Sequence, residues 1–151
     1  MSGIFLTFDH WTHNLQPTSG GPPHATFVYS KNDIGFGITR NWLAAKNLDL
    51  VGKTLKLDRV ICNTFFNEKL NRNRTDVLWC FDQHSSNLLL QEMTNVIRRM
   101  GYSEQQITKA VENRSNGVPF HVTLATDVDV VRGVYTEERI GKIVISGSYV
   151  D

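Results

Sequence analysis

His24-Ala25-Thr26-Phe27 and His121-Val122-Thr123-Leu124 decide how this chain is read, because each opens an apolar segment with the same alternation of polar and apolar residues. A period of two marks a strand with one buried face, since successive side chains point to opposite sides. Histidine and threonine two apart then share one face, and Ala25, Phe27, Val122 and Leu124 share the other. Proline precedes both strands, in Gly21-Pro22-Pro23 and in Val118-Pro119-Phe120. With five histidines and thirteen threonines in the chain, chance gives roughly 0.4 His-x-Thr patterns, whereas three occur. Context separates them: the third, His10-Trp11-Thr12, runs into His13 and a polar loop instead of an apolar strand.

Working outward, residues 4–8 form a strand before the first motif, and the Gly/Pro-rich residues 14–23 form a loop that leads into a strand over 24–29. Gly35 and Gly37 interrupt regularity, and Thr39 caps a short helix carrying Trp42, Leu43, Ala44 and Ala45, with Asn47 at its end. A strand over 54–62 alternates Leu55 and Leu57 with Thr54, Lys56 and Asp58. Residues 67–75, rich in Asn, Arg and Lys, make the polar tip of a hairpin that returns through the apolar run 77–81. Ser85 or Ser86 opens the strongest helix, with Leu89, Met93, Val96, Ile97 and Met100 on one face and Gly101 at its end. Ser103 and Gln106 form a capping box for a second helix that buries Ile107, Ala110 and Val111. A loop over 113–119 leads to the second motif strand, 120–125, and residues 142–150 form a closing strand with Ile143 and Ile145 inward. Strands interleaved with helices make an α+β domain with an antiparallel sheet.

The 151 residues, 40% hydrophobic and 21% charged, fit one globular domain with a full core. Sixteen Lys+Arg against 15 Asp+Glu leave a net charge of +1, so no basic field exists to hold a long duplex by its phosphates. No apolar run approaches the about 18 residues of a membrane span, and no signal-like N-terminus is evident; a cytoplasmic protein is expected. Cys62 and Cys80 lack a C-x-x-C pattern and are expected to be buried, reduced thiols.

Two imidazoles and two hydroxyls on one surface suit phosphoryl transfer. Near neutral pH one histidine can accept a proton while the other donates one, because the ordinary imidazole pKa is about 6.5. Thr26 and Thr123 can donate hydrogen bonds to non-bridging phosphate oxygens. The proton traffic then needs no metal, and no cofactor is expected.

With these motifs in this order of elements, the chain resembles the two-histidine (2H) phosphoesterase superfamily, which includes bacterial RNA 2′,3′-cyclic phosphodiesterases and viral 2′,5′-phosphodiesterases. The resemblance covers Phe5-Leu6-Thr7-Phe8, both motifs, the segment 55–62 with Val77-Leu78-Trp79-Cys80, and the helix ending at Gly101. It departs from the family in having a Gly/Pro-rich loop where a helix commonly precedes the first motif. The resemblance implies a bilobal fold of two similar halves, with two antiparallel sheets lining a central groove and helices outside. It implies His24 and His121 as the acid/base pair and Thr26 and Thr123 as phosphate ligands. The substrate would be a nucleotide or short RNA: a 2′,3′-cyclic phosphate, a 2′-5′ linked oligonucleotide, or a cyclic dinucleotide of the kind viral relatives destroy to evade immunity. No membrane partner is expected, and the chain is expected to act as a monomer.

Other residues admit plainer readings. Trp11 and Tyr29, at strand ends bordering the groove, can stack on a base or simply pack. His10 and His13 lack companions for a metal site and belong to a loop. Lys69, Arg72 and Arg74 can touch phosphate or form a solvated turn; Arg98 and Arg99 complement the dipole of their helix. Trp79 and Phe81 read as core. Competing functions are a non-catalytic RNA- or nucleotide-binding module that keeps the groove, and a structural protein whose histidines fill a sheet.

Overall fold

The computed structural model describes residues 3–10, 23–29, 48–50, 53–126 and 142–150. Its elements are β1 (Gly3–His10), β2 (His24–Tyr29), β3 (Thr54–Asn67), β4 (Arg72–Phe81), α1 (Gln83–Arg99), α2 (Glu104–Asn113), a 3₁₀ turn (Arg114–Gly117), β5 (His121–Ala125) and β6 (Lys142–Val150). The fold is α+β, and the strand pairs are antiparallel, in the order β1-β2-β5-β4-β3-β6. The expected two sheets are one: β6 bonds to both β1 and β3 and so joins the two edges of what would otherwise be an open five-stranded sheet. The expected helix after Thr39, together with Trp11 and His13, lies outside the described residues.

Alternation along β4 organises the core. Val77, Trp79 and Phe81 join Leu6, Ala25, Phe27, Leu55, Leu57, Val122 and Leu124 on the face that the helices cover. Helix α1 supplies Leu89, Met93, Val96 and Ile97, and α2 supplies Ile107 and Ala110. Phe27, Leu89, Met93 and Ile97 are fully buried, each worth about 1.5–3 kcal/mol in apolar burial. With this face committed to the helices, the opposite face of β2 and β5 is left to the two motifs.

Several boundaries differ from the sequence reading for physical reasons. The hairpin arm stays paired out to Asn67↔Arg72, so only four residues remain for the tip, and a Thr64–Thr75 hydroxyl bond of 2.8 Å holds the arm. Phe65 and Phe66 stand side by side among polar residues, so the arm gives no apolar alternation to read. Asp82, not Ser85 or Ser86, caps α1, accepting from Ser85 N at 2.7 Å. Ser85 instead lends its hydroxyl to Lys56 N at 2.8 Å, tying β3 to the helix. Ser103 and Gln106 form the expected capping box, and Gly101 takes the left-handed conformation (φ 93°) that ends α1. His10 closes β1 with its backbone paired to Val144 instead of lying in a loop. Cys80 is buried as expected, but Cys62 is exposed, because β3 runs past the core beyond Val60. Trp79 and Phe81 are core. No helix among the described residues is long and apolar enough to cross a membrane.

Candidate functional site

Ala25 of β2 pairs with Val122 of β5 in antiparallel register. Both belong to the core, so the residues flanking them project to the other face. Extending that register by one residue sets His24 across from Thr123 and Thr26 across from His121, and all four are half-buried. The histidines are diagonal neighbours, about 7–8 Å apart at Cα in such a ladder. The outer strands complete the surface: Thr7 pairs with His24 and Phe5 with Thr26, while Cys80 pairs with His121 and Leu78 with Thr123. The Phe5 ring meets His24 edge-on, 5.5 Å between centroids and 89° between planes.

His121 is oriented by the chain that brings it in. Its Nδ1 lies 2.7 Å from the Pro119 carbonyl oxygen. A carbonyl only accepts, so Nδ1 carries the proton, and Nε2 is left as the nitrogen for proton exchange. Burial pushes the imidazole pKa below its ordinary value; the Pro119 bond opposes this, the Arg114 cation adds to it, Asp76 opposes it, and a charged His24 lowers it further.

Arg114, just after α2, is buried and reaches back to the start of β5. Its Nη1 donates to Val118 O at 2.7 Å, and its guanidinium carbon sits 3.5 Å over the Phe120 ring. Phe120 in turn packs edge-on against Phe27 of β2, 6.3 Å between centroids. The stack fixes β5 against β2 from the core side and so sets the register of the motif face. Asp76 is also buried, and its Oδ2 is 2.9 Å from Arg74 Nη2. Asp76 is near His121 only through the pairing of β4 with β5, whereas Arg114 arrives from the same loop that leads into β5, through Val118 O and the Phe120 ring.

Of the sequence-derived residues, the fold brings together His24, Thr26, His121 and Thr123. Tyr29 ends β2 with its backbone paired to Gly3; Trp11 lies outside the described residues. Arg74 is not in the turn but on β4, on the same side of that strand as Asp76 and Leu78. Arg98 pairs with Glu104, and Arg99 reaches Asp49 and Glu92, so both serve the helices. Among the described residues no three His, Cys, Asp or Glu side chains group as a metal site.

No family model matches the chain, and no curated protein or solved structure matches it.

Proposed function

We propose that the chain is a phosphodiesterase of the 2H type, acting on a nucleotide or short RNA with His24 and His121 as its acid/base pair. The observation that carries this reading is the Ala25↔Val122 register, which sets two imidazoles and two hydroxyls on one half-buried face while their neighbours fill the core. In the reaction, His121 Nε2 takes the proton of the attacking hydroxyl as its oxygen bonds to phosphorus. His24 gives a proton to the leaving oxygen as the old P–O bond breaks, and exchange with solvent restores both rings. The geometry of His121 favours it as the base, since burial favours the neutral ring and the Nδ1 bond to Pro119 leaves the lone pair of that neutral ring at Nε2. Thr26 and Thr123 donate to the non-bridging oxygens. Both proton transfers are supplied by side chains, so the mechanism calls for no metal.

The two-lobed plan with similar halves and a groove between them belongs to this proposal, as does a cytoplasmic setting in which the substrate is a cyclic phosphate or a small signalling nucleotide. The test is incubation with adenosine 2′,3′-cyclic phosphate, 2′-5′ triadenylate and cyclic dinucleotides in the presence of a chelator, followed by product analysis. Cleavage of one of them that is lost in His24→Ala and His121→Ala is expected. No cleavage of any, or cleavage abolished by the chelator, overturns the proposal.

A further inference from the structure

The motif face does not stop at β5. Along β4 the side chains that alternate with the core run Cys80, Leu78, Asp76 and Arg74, away from His121 and out along the hairpin arm. Across the ladder, Phe65 of β3 pairs with Arg74. The Arg74 guanidinium carbon lies 4.8 Å from the centre of the Phe65 ring. Asp76, itself buried, holds that guanidinium at 2.9 Å. The Arg74 side chain remains 28% exposed, and the Phe65 residue is half-buried.

We infer that Arg74 and Phe65 form a stacking platform for an unpaired base of an oligonucleotide whose scissile phosphate sits between His24 and His121. This rests on the phosphodiesterase reading and narrows its substrate. The length decides it: Leu78 stands beside Thr123, and four further residues of strand to Arg74 span about 13 Å. A single nucleoside with its phosphate at the histidines does not cover that length, and a strand of two or three nucleotides does. Flat cationic and aromatic groups are what unpaired bases stack on, without regard to base identity. Here the cation is held in place before any ligand arrives, so little of its side-chain freedom remains to be lost on binding. The substrate class is therefore a short single-stranded oligonucleotide, in preference to a cyclic mononucleotide.

The test measures binding separately from turnover. In a His121→Ala background, so that ligand is not consumed, Phe65→Ala, Arg74→Ala and the control Phe66→Ala are titrated with fluorescein-labelled triadenylate and with adenosine 2′,3′-cyclic phosphate. Phe66 is the exposed neighbour on the alternate face of β3. Loss of one stacked base should weaken triadenylate binding relative to the mononucleotide by about 5- to 150-fold in the first two variants, and Phe66→Ala should leave that ratio unchanged. Equal weakening toward both ligands, no weakening, or no triadenylate binding at all overturns the platform. If the pattern appears but wild-type protein cleaves nothing, the platform stands and the catalytic reading falls; if wild type cleaves but the pattern is absent, the platform alone falls.

Discussion

The His121 ring is anchored through Nδ1 to the carbonyl of Pro119, two residues before it, at 2.7 Å. The same short segment that turns the chain into β5 thus selects the imidazole tautomer. Burial, helped by the Arg114 cation, holds the ring's pKa below the ordinary value of about 6.5. In the range below that value the unfolded chain binds the proton more readily than the folded one, so stability falls as pH drops through it and is fully restored above about 6.5. Melting temperatures from pH 8 to pH 5 should therefore fall more steeply for wild type than for His121→Gln. Parallel curves would show that the ring's burial carries no such linkage.

Turnover should need both rings. His24→Ala and His121→Ala are each expected to lower kcat/KM by at least about 10²-fold, the usual contribution of general acid–base groups. The wild-type pH profile should be bell-shaped, because one ring must be neutral and the other charged. Full activity in either variant, with circular dichroism unchanged, removes that histidine from the mechanism.

What was legible in the sequence was whatever repeats locally. The His-x-Thr alternation placed four side chains on one face, and Ser103 with Gln106 announced the start of α2. Asp82 is masked as the cap by the serines that follow it, while Ser85 spends its hydroxyl on Lys56 N, a partner far away in sequence. The tip expected over 67–75 shrinks because Arg72, Asn73, Arg74 and Thr75 pair as strand while showing no apolar period. Joining of the two sheet edges by β6 and the approach of Asp76 to His121 are long-range facts that no local pattern encodes, while Arg114, only seven residues before His121, belongs to no recognisable motif.

Arg114 offers a test of how the second motif is held. Arg114→Met removes the donor to Val118 O and the charge beside His121. Loss of the buried charged hydrogen bond should cost about 1.5–3 kcal/mol in stability by urea unfolding. Since the cation lowers the His121 pKa, its removal should raise it, read from the histidine ring signals in an NMR titration. Arg114→Lys, which keeps the charge but not the flat contact with Phe120, should return the titration toward wild type while remaining less stable. A His121 titration unmoved in Arg114→Met would separate the arginine from the site.

The threonine hydroxyls make the sharpest distinction between a catalytic face and a merely half-buried one. Thr26→Val and Thr123→Val keep the shape and the strand preference of threonine but remove the donor. If the hydroxyls stabilise charge on the phosphate oxygens as the bond changes, each substitution should reduce kcat by about 10²–10³-fold, as loss of a single oxyanion donor does elsewhere. The effect on folding should be small, since both residues are half-buried and their backbone pairing is untouched. A matched fall in melting temperature and activity would mean the hydroxyls serve the fold. Loss of kcat in a protein that melts like wild type would place them on the reacting phosphate.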